Sequence, residues 1–251
     1  MNRSLFILIC IFLIFSFKAA SQGEIDPSSK ILLRNETSIS AGLTNNGYGL
    51  GYRYGKHKWA KIKMIYQADL FLTKHPKEIK SSSYYFPQKS FVYGKVNTLF
   101  NLHLGYGMQQ EIFSREDVGG VAIRYLITGG PTFAFLKPNY YQVTYVVGQY
   151  VVEDFDTFFD NSAHAGIIIG DAGFFEGFGE MKIIPGLFIQ AGINFDYNQS
   201  DEVYNALEAG IMLDVYMNKL PIMSENLVTA SPFLFQTYLC YRFGHIKDGE
   251  N

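Results

Sequence analysis

Three residues with the chemistry of a hydrolase lie close together in the chain: Asp160, Ser162 and His164, with Asp171 and Glu176 following. A hydroxyl nucleophile, an imidazole base and an orienting carboxylate must come within hydrogen-bond reach of one another to attack an ester or amide. These are also ordinary loop residues, and their spacing matches no hydrolase signature, so chance proximity outweighs a catalytic reading. His57, His75, His103 and His245 are dispersed and point to no metal site. The glycines of AGIIIGDAGFFEGFGE, Ala165 to Glu180, match no phosphate-binding loop, and nothing else in the chain asks for a cofactor. Asn35-Glu36-Thr37 and Asn198-Gln199-Ser200 have the form of glycosylation acceptors, a tripeptide that is common by chance.

The ends and the composition narrow the class further. Met1-Asn2-Arg3-Ser4, the apolar run Leu5 to Phe17 and the small residues Ala19 and Ser21 read as a secretory signal peptide over residues 1–21. The run is shorter than the roughly 20 apolar residues of a spanning helix. Cys10 lies inside that run, with apolar chain after it, so it is not placed as the modified cysteine of a lipoprotein. Of the two cysteines only Cys240 survives cleavage, so the exported chain, 22–251, has no internal disulfide. Its length fits one domain. A net charge of -2 gives no general attraction to nucleic acid. The 22 Phe and 18 Tyr against one Trp suit pleated surfaces and lipid interfaces.

Period two dominates the chain. In FLFQTYLCYRFG, Phe233, Phe235, Thr237, Leu239, Tyr241 and Phe243 share one face, and Leu234, Gln236, Tyr238, Cys240 and Arg242 the other. Leu207, Ala209, Ile211, Leu213 and Val215 alternate with Glu208, Gly210, Met212 and Asp214, and the same pattern recurs from Ile39 onward. About eight such strands follow, most of them at or above the length that a tilted membrane strand needs. Alternation does not say which face is outside. Gly42, Gly49, Gly51, Gly105, Gly107, Gly192 and Gly210 all fall on the polar face, where small residues relieve crowding in a narrow interior. The connections differ in length: Lys56 to Lys58, Ser114 to Gly119 and Asn198 to Glu202 are tight, whereas His75 to Ser90, Lys137 to Met181 and Asn218 to Ser231 are long. Asn45-Asn46 is a tight turn on the long side. Short turns at one end and long loops at the other belong to an outer-membrane barrel. The fold expected is all-β: an antiparallel up-and-down transmembrane β-barrel of about eight strands, or ten if Tyr140 to Val152 adds a hairpin to the wall.

Such a barrel is just wide enough for its own side chains. The alternation sends Arg53, Lys61, Lys63, Lys95, Arg124 and Arg242 inward to face Asp69, Glu208 and Asp214, a set read as a structural plug rather than a transport path. Glu208 is its expected hub, with Arg242 or Arg124 as partner. The loop 137–181 is longer than a connector requires. Its apolar, Gly-rich second half suits packing over the barrel mouth or presentation to a protein partner.

The signal peptide, the alternation and the final strand QTYLCYRF together resemble a small bacterial outer-membrane β-barrel of the OmpA/OmpX type. That resemblance implies residence in the outer membrane, contact with its lipid and recognition of the last strand by the barrel-assembly machinery through Gln236, Tyr238, Tyr241 and Phe243. The family pattern has Gly where this chain has Tyr238. The resemblance implies three roles: a structural element or docking surface working through 137–181, a lipid A hydrolase type of enzyme, or a narrow channel. The first is preferred here.

Overall fold

The computed structural model describes residues 34–59, 61–114, 121–146, 149–160, 166–197 and 203–248. The signal segment expected at 1–21, together with Ser162, His164 and the whole turn Asn198 to Glu202, lies outside the described residues. In chain order the elements are β1 (Arg34–Thr44), β2 (Gly47–Trp59), β3 (Ile62–Thr73), β4 (Lys80–Ser82), β5 (Ser90–Val92), β6 (Asn97–Phe113) and β7 (Ala122–Pro138). There follow β8 (Tyr140–Val146), β9 (Gln149–Asp154), a short helix α1 (Phe155–Asp160), β10 (Ile167–Asp171), a single 3-10 turn (Phe178–Glu180), β11 (Lys182–Asp196), β12 (Val203–Leu220) and β13 (Ser231–Asp248).

Eight strands close into one barrel in the order β1-β13-β12-β11-β7-β6-β3-β2, each antiparallel to its neighbours. Closure is made by β1 against β13, in register from Arg34↔Asp248 to Thr44↔Tyr238, so the wall has no open edge. The ten-strand alternative is not realised. β8 and β9 leave the wall and form a separate three-stranded sheet, order β10-β8-β9.

The two faces of the wall are the inverse of those in a water-soluble barrel. On β13, Phe233, Phe235, Leu239, Tyr241 and Phe243 are exposed while Gln236, Tyr238, Cys240 and Arg242 are buried. On β11, Leu187, Ile189, Ile193 and Phe195 are exposed while Phe188, Gln190, Asn194 and Asp196 are buried. An outside of this kind suits hydrocarbon, because the backbone polar groups of the wall are paired along the ladder and most of its polar side chains are turned inward. Tyr241 and Phe243 stack at 6.3 Å between centroids on the outer face, and Tyr66 and Tyr106 meet at 5.1 Å.

Connections at one end are short and at the other, Asn45-Asn46 apart, long: 74–96, 139–181 and 221–230. The turn expected at Lys56 to Lys58 comes later, because β2 runs on to Trp59. Lys56 and Lys58 therefore extend the hairpin in strand form and are exposed. The long connection after β7 is a folded unit. Phe91, Tyr141, Val143, Phe155, Phe158 and Ile168 form an apolar core beneath the β8–β10 sheet, with Phe91 supplied by the β4–β5 hairpin. The Tyr141 hydroxyl donates to the carbonyls of Val92 at 2.7 Å and Lys95 at 2.6 Å, tying sheet to hairpin. Burial pushes the Tyr141 phenol upward, so the group stays a donor throughout the physiological range. Tyr141→Phe, which removes the hydroxyl from both carbonyls and leaves Val92 the Lys95 N–H at 3.3 Å, is expected to loosen the sheet by about 1 to 2 kcal/mol. Limited proteolysis should then cut the 139–181 segment faster while the heat-modifiable barrel band stays in place.

Candidate functional site

The interior of the barrel gathers most of the polar residues that the sequence singles out, and it is layered. Read along β12 from the short-turn end, Tyr204, Glu208, Met212, Asp214, Tyr216 and Leu220 point inward and mark successive tiers.

The lowest tier is an ion network. Lys63 on β3 donates to Glu36 on β1. Arg124 on β7 reaches Glu36 at 3.4 Å, Asp196 on β11 at 3.1 Å and Glu111 on β6 at 3.4 Å, and its guanidinium lies 5.8 Å from the Tyr204 ring. Above it, Glu208 is held by both Arg53 nitrogens, Nη1 at 2.6 Å and Nη2 at 3.0 Å, in the fork geometry that makes such pairs strong. Asn194 and the Tyr238 hydroxyl each donate to Glu208 at 3.2 Å, and Arg242 Nε lies 3.6 Å away. Arg53 also donates to Gln67, which donates to Gln190 at 2.6 Å, so one polar chain crosses the interior from β2 to β11.

In the next tier His103 Nε2 lies 2.7 Å from Asp214 Oδ1, both groups fully buried, with the imidazole flanked by Phe188 at 4.6 Å and Phe71 at 5.7 Å. Tyr238 lies over two glycines, Gly210 of the adjacent β12 and Gly192 of β11 beyond it. A Cβ on Gly192 would fall 2.2 Å from the Tyr238 oxygen, and one on Gly210 would fall 2.8 Å from its ring. Leu99, Ala134, Leu136, Tyr216, Leu220 and Ile222 then pack as an apolar cap beneath the long connections. His103 Nδ1, Asp214 Oδ2 and Arg242 Nη1 have no protein partner among the described residues. Buried polar atoms of this kind are met by internal water.

Seven of the nine charges expected inside, Arg53, Lys63, Asp69, Arg124, Glu208, Asp214 and Arg242, are buried on the inner face. Two are not there. Lys61 is exposed in the β2–β3 connection, where the turn ends the alternation that would have aimed it inward. Lys95 stands above the barrel in the β5–β6 connection, after Gly94 in a left-handed turn, bonded to Glu78 at 2.8 Å. The partner of Glu208 is also corrected: it is Arg53 before Arg242, and Arg124 serves Glu36 and Asp196 instead. Arg53 is on β2 and Glu208 on β12, separated in the wall by β1 and β13, so the pair exists only in the closed barrel.

Sequence reasoning did not extend β1 to Glu36, and it placed Asp196, His103, Gln67 and Gln190 on the polar face of their strands without assigning them to the network. Glu36 continues the inward phase of Ser38 and Ser40 by one step, so there the period carried the signal past the point where the strand was taken to begin. Of the residues assigned to assembly, Gln236 and Tyr238 lie inside the barrel and Tyr241 and Phe243 outside it.

No protein-family model and no curated protein matches this sequence. Among solved structures, the chain is similar to Neisserial surface protein A, with 7% identity over 86% of this chain and 97% of that one, at a TM-score of 0.39. The N-terminal β-barrel domain of Pseudomonas aeruginosa OprF gives 8% identity over 85% and 97%, at 0.37. Ail, the attachment invasion locus protein of Yersinia pestis, gives 10% identity over 86% and 99%, at 0.39. At these scores the likeness adds nothing to the fold that the closed ring of strand pairings establishes by itself.

Proposed function

We propose that this chain is an outer-membrane barrel with a closed interior, whose work is done outside by the folded sheet of the 137–181 segment acting as a docking platform for another protein. The outward apolar face supports residence in a bilayer. Placing the long connections outside follows the arrangement of outer-membrane barrels. On the same reading, export uses the segment 1–21, and the barrel-assembly machinery acts on β13.

The observation that carries the docking reading is that the long connection has its own apolar core while leaving a strand edge free. β9 pairs with β8 on one side and, among the described residues, with no strand on the other. It presents Tyr150 at 64% exposure, with Val151 and Val152 also exposed. An uncovered, apolar strand edge invites pairing with an extended segment of a partner. A photo-crosslinker at Tyr150 on intact cells of the native host is expected to give a discrete adduct, whereas the same probe at Lys58, at the short-turn end, gives a different pattern. No adduct from Tyr150, Val152 or Phe159 would sink the docking reading.

The channel alternative meets a filled interior, since the side chains of eight strands leave little room. Planar-bilayer recordings should show only small or irregular events, and a steady, large conductance would overturn the closed interior. The lipid-modifying alternative has no described geometry behind it, because Ser162 and His164 lie outside the described residues.

A further inference from the structure

The segment between β10 and β11 carries three phenylalanines in a compact arrangement. Phe174, Phe175 and Phe178 are 58%, 84% and 39% exposed, yet their ring centroids lie only 5.4 to 6.1 Å apart. Apolar side chains left in water on a mobile loop would have no reason to hold one shape. These are held from below. Lys137 Nζ donates to the Glu176 carbonyl at 2.7 Å and lies 5.7 Å from the Phe174 ring and 5.5 Å from the Phe178 ring. Gly177, at φ 82°, passes so close to β7 that a Cβ there would fall 2.7 Å from the Pro138 carbonyl oxygen. Tyr140 donates to Glu180 at 2.5 Å and pins the far side of the turn.

Lys137 also locates the knuckle. It continues the outward phase of Phe133 and Phe135 on β7, while Ala134 and Leu136 face the cap inside, yet Lys137 itself is buried. What covers it is the knuckle, which therefore lies against the outside of the wall. Directly below are Phe135 and its ladder partner Ile183, the uppermost exposed apolar residue of β11. A tilted strand crosses the hydrocarbon in about 9 to 11 residues. Counted up from Phe195 as the lowest exposed apolar residue of β11, Ile183 is the thirteenth, so it stands just past the hydrocarbon, in the interfacial layer. The three rings, gathered around Lys137 one step above Phe135, thus stand at the depth where aromatic residues favour the membrane interface.

We infer that Phe174, Phe175 and Phe178 form a membrane-docking knuckle that enters the outer leaflet beside β7 and β11 and holds the β8–β10 sheet at the bilayer surface. The inference is independent of the docking role of β9, which has its own test.

The test uses single-tryptophan versions of the full mature chain, with Trp59→Phe as background, refolded into phosphatidylcholine vesicles with or without bromine on the acyl chains. Phe175→Trp is the reporter, Phe178→Trp a second one should the first fail to refold, and Leu187→Trp the reference for a residue of the lipid-facing wall. The reporter's emission should shift to the blue of that of the urea-unfolded chain and fall by about twofold in brominated vesicles, most strongly with bromine near the headgroup. Emission indifferent to bromine but quenched by acrylamide as in the unfolded chain would place the knuckle in water and overturn the inference. Protection from both quenchers that grows with the protein-to-lipid ratio would make it a contact between copies and overturn it equally.

Discussion

Glu208→Gln is expected to lower the stability of the folded barrel by about 3 to 5 kcal/mol, the usual cost of removing one partner from a buried ion pair. Glu208 is fully buried, bonded to both Arg53 nitrogens and 3.6 Å from Arg242. Glutamine keeps the shape and one acceptor oxygen but removes the carboxylate that the two guanidinium groups share most closely, leaving them Asp69 as the remaining nearby carboxylate. The lowest tier cannot compensate, because Glu36 and Asp196 are already engaged with Lys63 and Arg124. Urea titration in vesicles, and the temperature at which the compact gel band disappears, should both register the loss. Glu225→Gln, at an exposed position in the 221–230 connection, should leave both unchanged. Equal behaviour of the two variants would show that Glu208 does not hold the cations of the interior.

The second large effect is expected at Tyr238. Its ring fills the space above Gly192 and Gly210 and its hydroxyl donates to Glu208, so Tyr238→Ala removes both packing and a hydrogen bond, at a cost of about 3 to 5 kcal/mol. The sharper readout is coupling. Gly192→Ala should be damaging in the native background, where the new methyl meets the Tyr238 oxygen, and much milder once Tyr238 is alanine, because only the Ala209 carbonyl at 3.0 Å then remains close. A double-mutant cycle measures the difference directly. Additive effects would mean that the glycines serve the backbone rather than the ring.

Tyr238 also shows where the sequence could and could not be read. The strands were legible because a wall between hydrocarbon and a filled interior forces period two on every residue, and the inward glycines gave the sign of the faces. The pairing of those glycines with Tyr238, which looked like a departure from the family pattern, was hidden because it joins β11, β12 and β13 through side chains. The same limit applies to Arg53 and Glu208, and to His103 and Asp214 across the interior from β6 to β12. Alternation assigns a residue to a face and says nothing of its depth or of which strand lies opposite. Strand ends were missed for a different reason. Past the hydrocarbon the outer face no longer has to be apolar, so β1 back to Arg34, β12 on to Leu220 and β13 on to Asp248 continue in hydrogen bonding after the pattern fades. Lys61 and Lys95 mark the opposite error, in which the period was carried across a turn that resets it.

The seam between β1 and β13 has a kinetic consequence. The two strands at opposite ends of the described chain are ladder partners over eleven positions, from Arg34↔Asp248 to Thr44↔Tyr238. Forming that seam pays the loop-closure entropy of nearly the whole molecule, and contacts of such separation make folding slow. The Arg53–Glu208 pair also spans the seam, so the interior can reach its final electrostatic arrangement only in the same late event. A wall left open at this seam would have two unpaired strand edges and an uncovered polar face. Zipping the seam and joining Arg53 to Glu208 then go together, and a substitution that weakens either is expected to slow the appearance of the compact band, as a refolding time course into vesicles would show.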